Sequence, residues 1–448
     1  MKRRTWLAAA AAATVGAVVG DASAAPAPPR RRSNELRLPF DHGQGRLLIT
    51  HAKVHVGDGT VLDDASVHVV GSRIMAVGPG ERVSAGDGAE RVDLGGKWLV
   101  PGFIAAATPL GLVEIGAEDS TVDTERKDDK SIRAGYDAAV AVHADSSLIG
   151  VNAIDGVTSA AVTPVGGLVS GQVAWIDLAA GDHTGIVAKP RIAVHAHLGQ
   201  TFGGSRAATL AQLSETLDDA DFFDKRRAAY DRRQSRDLVA HPRDLEALVP
   251  VLRGQIPLVV EAHRASDLLA LVDLAKDRGI RIVVVGATQG HAVADALAKA
   301  SITAIVQPSE NLPGNLDRLG ARRDNAAKLH AAGVRVGIAV LDEAHNVRNV
   351  SQEAGIAIAH GLPRAAALSA VTHNLAIAYG MDADYGTITA GKVANLAAYD
   401  DDPFELKNVP TQVWIRGRTL SMRSRQTRLR DRYMDLSRFR DHDAGARR

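Results

Sequence analysis

Between residues 100 and 380 the chain repeats one pattern, a short and almost uninterrupted apolar run followed by a stretch with helical spacing. Gln255, Ile256, Pro257, Leu258, Val259 and Val260 lead into a predicted helix over 265–278, on which Leu268, Leu269, Leu271, Val272 and Ala275 form an apolar side. A run over 280–285, a helix over 291–300, a run over 302–306, a helix over 325–332 and a run over 334–340 continue the alternation. Strands apolar on both faces need cover on both faces, and helices packed on a parallel sheet supply it. At this length the pattern predicts an α/β fold, a (β/α)8 TIM-like barrel.

The two ends of the chain differ from this middle. Short β-rich pieces separated by turns occur at 47–50, 65–70 and 73–77, and again at 395–399 and 411–416. They predict a small β-sandwich domain built from both ends of the chain. The expected organisation is a signal peptide at 1–24, a linker and start of the mature chain at 25–46, and a first small-domain part at 47–98. The barrel follows at 99–384 with a helical insertion at 208–243, then the second small-domain part at 385–420 and a C-terminal tail at 421–448. The insertion is highly charged yet carries Leu210, Leu213 and Leu217, so it reads as an amphipathic lid or a structural arm.

Lys2, Arg3 and Arg4, an apolar run over 7–20 and a small-residue site at Ala22, Ser23 and Ala24 predict export to the periplasm or medium. Arg3, Arg4, Thr5, Trp6 and Leu7 resemble a twin-arginine signal, with an ordinary basic signal as the alternative. No later stretch is apolar for long enough to anchor the mature chain in a membrane. The chain has no cysteine, so disulfides, thiolate ligands and thiol nucleophiles are excluded. A formal charge of +1 and the lack of any accompanying motif give no sign of nucleic-acid binding, despite an arginine-rich stretch at 416–432. Gly166-Gly167 and Gly203-Gly204 lack the lysine and context of a phosphate loop, so no nucleotide cofactor is expected. The expected partner is a small-molecule substrate or ligand, with a homo-oligomer left open.

Three stretches, in order and spacing, resemble the amidohydrolase superfamily. They are 95–104 with Pro101, Gly102, Phe103 and Ile104; 259–263 with Glu261 and His263; and the closing run 361–403 with Thr372, His373 and Asn374. The last is similar to imidazolonepropionase-like or dihydroorotase-like members. The resemblance implies a mononuclear or binuclear metal site at the strand ends, a metal-activated water and attack on an amide, lactam or related C–N bond. It also implies a His-x-His on the first barrel strand, where this chain has Ala107 and Pro109. Neither side chain offers a lone pair to a cation. His263 looks like the fifth-strand histidine and Asp342 like the eighth-strand aspartate, a ligand and proton acceptor in the family. The sixth-strand histidine has no clear equivalent, since His291 comes only after Gly286, Ala287, Thr288, Gln289 and Gly290.

Spacing offers a substitute for the missing ligands. In an extended segment His195 and His197 face one side, so His195, His197, His263 and Asp342 form a candidate set for zinc or another divalent metal. Hydrogen-bonding or surface histidines are the alternative. Glu261 shares a face with His263 and, if inward, needs a basic or metal partner. The predicted chemistry has Asp342 deprotonating water, His263 binding metal or polarising the scissile carbonyl, and His345 assisting the leaving group. Glu114, Glu118 and Asp119 are candidates for the mouth or for a solvent loop, and 307–311 for the rim or an ordinary turn. Two functions compete: an exported hydrolase of a C–N bond, and a noncatalytic barrel that binds a small molecule or partner protein.

Overall fold

The computed structural model describes residues 45–434 apart from 128–129, 311 and 314–315. The expected signal peptide at 1–24, most of the linker and half of the tail lie outside the described residues.

Among the described residues sixteen strands fall into two sheets. The first takes β1 (Arg46–His55), β2 (Val61–Val70), β3 (Arg73–Pro79), β4 (Glu90–Asp93) and β5 (Trp98–Pro101) from the first part of the described chain. The second takes β6 (Phe103–Thr108), β7 (Val157–Val162), β8 (Val169–Asp177), β9 (Val187–His197), β10 (Leu258–Ala262), β11 (Ile282–Gly286), β12 (Thr303–Val306) and β13 (Val336–Ile338). The chain then returns to the first sheet with β14 (Leu396–Tyr399), β15 (Pro410–Ile415) and β16 (Arg418–Thr419).

The expected β-sandwich is one continuous hydrogen-bonded sheet, ordered β16-β15-β14-β5-β1-β2-β3. Strand β1 makes this possible by pairing β2 along one edge and dividing its other edge between β4 and then β5. The change of partner falls around His51, whose φ of 50° interrupts the register.

The second sheet runs β6 to β13 in chain order, and here the expected (β/α)8 barrel needs correction. Strand β8 is antiparallel to both β7 and β9. Only residues 163–168 join β7 to β8, too few for the crossover a parallel pair requires. Nor do β6 and β13 pair as strands; the barrel is distorted and open, its seam spanned by single bonds. Asp342 N–H donates to the Ala107 carbonyl at 3.0 Å, and Thr108 Oγ1 donates to the Glu343 carbonyl. Ala107 and Asp342 both have left-handed backbones, with φ of 49° and 56°.

The alternation of side chains sorts the second sheet's residues into two apolar cores. Leu258, Val260 and Ala262 of β10 pack outward with Leu268 and Leu271 of the following helix. Val259 lies in the other cluster with Ile104, Ala161, Trp175, Val283 and Ile305, which is sealed by Tyr379 and Tyr385. Glu261 continues the inward parity of Val259, and His195 and His197 continue that of Ala193. The inward face is thus apolar until the strand ends, where it becomes charged.

The insertion is a helix, Arg206–Asp231, with a kink at Arg226, followed after a loop by the helix Pro242–Leu252. Leu213, Leu217 and Phe223 join the outer core, and Asp218 and Asp224 accept from Arg278 and Arg253. None of its residues lines the strand-end cavity, and its apolar residues pack into the outer core.

Where the two sheets meet, a buried polar network replaces apolar packing. Arg416, just after β15, is 1% exposed; its Nε donates to Asp177 and its Nη2 to the Gly185 carbonyl at 2.6 Å. Asp177 also accepts from Ser159, Asn395 and Tyr385. Replacing Arg416 by Met leaves a buried carboxylate without its cation, which costs about 3–5 kcal/mol. Arg416→Met should therefore lower the urea midpoint with an unchanged m-value, whereas an unmoved midpoint would show that the network is not a structural joint.

Candidate active site

At the carboxyl ends of β10 to β13 the inward face opens into a cavity of about 410 Å3. Glu261, His263, Thr288, Arg318 and Asp342 line it, with Gln307, Glu353 and Ile356 on the far wall. His263 and Asp342, distant in sequence, share this one space.

Glu261 organises the floor. Its Oε2 is 2.9 Å from His197 Nδ1 and its Oε1 is 3.2 Å from His263 Nε2. A carboxylate only accepts, so both ring nitrogens carry protons toward it. Burial acts to raise the Glu261 carboxyl, but the bonds and charge of the two imidazoles outweigh it and hold it well below the ordinary range. His263 Nδ1 meets Thr288 Oγ1 at 2.8 Å, so both nitrogens of that ring are engaged. His197 Nε2 is buried with no partner among the described residues.

The His263 ring lies over Gly286. A Cβ at that position, where φ is 89°, would come 2.5 Å from His263 Cε1. His263 fills the space a side chain at 286 would need.

Asp342 lines the cavity and is exposed to solvent there. Burial first, and then the neighbouring Glu261 charge, push its carboxyl up to about 6, against the opposing pull of His197, His263 and Arg318. Its left-handed φ of 56° is strained for a non-glycine residue, and the bond to Ala107 helps to hold it there. Arg318 brings a fixed positive charge, with Nη1 3.0 Å from Glu310 and Nη2 3.4 Å from His263 Nε2. Glu353 pins the rim, accepting from Ser309 N at 2.8 Å and from Gln307 Nε2 at 3.2 Å.

The candidate metal set is not assembled. His195 is buried, pairs through Nδ1 with Ser170 Oγ at 3.1 Å, and is pushed by burial down to about 3, so it is a neutral core residue. His197 reaches the cavity only through Glu261. Among the described residues no group of three or more His, Asp or Glu side chains is placed to hold an ion. The donors nearest to such a site already direct protons at Glu261, and Arg318 puts a cation beside His263. As placed, these residues do not fit a divalent metal.

Other expectations are redistributed. His345 does not line the cavity, although its neighbours Glu343 and Asn346 do. His291 also lies outside it. Glu114 accepts from Ser146 Oγ at 2.6 Å and Ser147 N at 3.0 Å at the start of the helix Ser147–Ala153, while Glu118 accepts from Ser120. These are structural roles. Asn311 falls outside the described residues. Arg318 and Thr288 escaped the sequence reading. The one signal for Arg318 was the length of the connection between the strand ending at Val306 and the helix near 325, unusually long for a strand-to-helix loop.

The sequence over 256–420, which contains Glu261, His263, Arg318 and Asp342, matches the family model described as the amidohydrolase family. The chain is 30% identical over 182 residues to amidohydrolase tasK of Hapsidospora irregularis, a match covering 39% of this chain and 19% of that protein. It is 42% identical over 52 residues to imidazolonepropionase of Pseudomonas aeruginosa, covering 12% of this chain and 13% of that one. The chain thus spans under a fifth of each of these curated relatives. An amidohydrolase from Thermotoga maritima superposes with a TM-score of 0.74 at 23% identity, over 84% of this chain and all of that one.

Because Asp342 titrates higher when folded than its ordinary value of 3.8, its ionisation opposes folding. The penalty is absent below about pH 4 and complete above about pH 6. Asp342→Asn should therefore raise the melting temperature at pH 7.5, with the gain vanishing near pH 4; equal shifts at both would contradict the elevated carboxyl. Gly286→Ala should displace the His263 ring and destabilise the chain by about 1–3 kcal/mol through backbone strain alone. An unmoved ring in the variant's crystal structure would refute the packing argument. Taken together, the open α/β barrel and the separate sheet share the fold of that amidohydrolase, and residues 256–420 match the amidohydrolase family model.

Proposed function

We propose that the protein is a hydrolase of a C–N bond in a small amide or peptide-like molecule, acting in the strand-end cavity. Asp342 carries the reading: a carboxyl pushed up to about 6, opening into a cavity beside a fixed cation, on a backbone held away from its relaxed form. In this scheme the Asp342 carboxylate takes a proton from water as the water oxygen bonds to the carbonyl carbon. Arg318 stabilises the negative charge that develops on the carbonyl oxygen. The C–N bond then breaks, the amine leaves with the proton from Asp342, and a carboxylic acid remains. His263 and His197 act as positioning residues, holding Glu261 and the floor in place. His345, outside the cavity, has no part in this scheme.

The 52-residue similarity to imidazolonepropionase supports kinship with imidazolonepropionase-like members. The composition of residues 1–24 supports export to the periplasm or medium. A noncatalytic binding barrel is the second reading, favoured by Ala107 and Pro109 at the family's first-strand ligand places.

A screen of cyclic amides and dipeptides for amine release separates the two readings, since a binding barrel turns over none of them. On a hydrolysed compound, kcat/KM should fall with acidity below about pH 6, as protonation disables Asp342. Asp342→Asn should lower kcat/KM by about 10²–10⁴-fold and Arg318→Gln by about 10²–10³-fold. Dialysis against chelator should leave turnover intact. Activity lost on chelation and restored by zinc, or an acid limb near pH 4, would contradict the scheme.

A further inference from the structure

The helix Val350–Ala359 stands between the strand-end cavity and a second, larger space of about 670 Å3. Gln352 and Ile356 line both. With Ala359 they recur at helical spacing on one face, so that face borders both spaces. The second space differs in chemistry. Ile358, Ala359, Phe404 and Leu406 give it apolar walls, whereas the strand-end cavity is predominantly polar.

Leu406 is 77% exposed, on a loop that is held firmly. Asp402 accepts from Phe404 N at 2.9 Å, and Asn408 Nδ2 donates to the Asp402 carbonyl at 2.8 Å. Arg364 donates to Glu405 at 2.8 Å. Gly355 lets the loop approach the helix, since a Cβ there would lie 2.9 Å from the Phe404 carbonyl oxygen. An apolar side chain displayed by a loop built in this way is a preorganised contact whose burial by a ligand is favourable.

We infer that the substrate is bipartite, with its C–N bond in the strand-end cavity and an apolar tail, a medium-length alkyl or acyl chain, lying across Ile356 into the groove beside Phe404 and Leu406. This rests on the hydrolase reading of the cavity. A polar substrate confined to that cavity would leave the groove without a role. Each methylene placed in the groove strengthens binding, so affinity and turnover rise with tail length until the groove is filled.

The test uses p-nitroanilides of acetate, butyrate and octanoate with the full chain, together with calorimetric binding of acetate and octanoate to Asp342→Asn protein. The octanoyl compound should show kcat/KM at least tenfold above the acetyl one, and octanoate should bind at least tenfold more tightly than acetate. Leu406→Asp, an exposed position where folding is not at risk, should reduce both ratios to below threefold. Turnover without chain-length dependence would overturn the groove and leave the hydrolase standing. Octanoate binding that is sensitive to Leu406→Asp, with no anilide hydrolysed, would support the groove and overturn the hydrolase. Neither turnover nor selective binding would overturn both.

Discussion

A single carboxylate, Glu261, sets the character of the strand-end cavity. Buried charge is tolerated only with partners, and Glu261 has two imidazoles, His197 on the preceding strand and His263 just beyond its own. Their bonds fix which ring nitrogens carry protons, hold His263 over Gly286, and leave a negative charge near Asp342 that helps to raise its carboxyl. Removing Glu261 would free both rings and release Asp342 from that repulsion. The properties of four positions follow from one side chain.

The seam at Ala107 adds a second constraint. There Ala107 contributes a backbone carbonyl, which takes the Asp342 N–H and helps to close an otherwise unpaired edge. That contact holds the backbone of Asp342. His195 is committed to Ser170, and Arg318 sets a guanidinium beside His263. On the proposed hydrolase reading, guanidinium and carboxylate cover the two needs of amide hydrolysis, a place for developing negative charge and an acceptor for the proton of water.

Much of this was legible in the sequence, and the gaps have physical causes. Strand parity placed Glu261 and His263 on one face and required a partner for Glu261, which the structure supplies. The strand ends near His263 and Asp342 were visible because apolar runs stop there. The reversed β8 was not visible, since an apolar strand looks the same in either direction and only the short loop from Thr163 to Leu168 betrays it. His195 and His197 share a face as expected, but depth along the strand separates them: one is in the core, the other bonded to the floor. Arg318 could not be placed because a long loop has no periodicity to orient it. His345 sits in the right loop but outside the cavity, a distinction that single-residue phase in an irregular segment does not carry.

The most direct test is nitrogen-15 NMR of the imidazoles in histidine-labelled full-length protein at pH 8, with His197 and His263 assigned by substitution. The account predicts His197 protonated at Nδ1 and His263 at Nε2, both unchanged by one equivalent of zinc and both altered in Glu261→Gln protein. Opposite tautomers, or a shift of both rings to metal-bound values on adding zinc, would show that Glu261 does not bracket the two imidazoles and that the cavity is built around a metal instead.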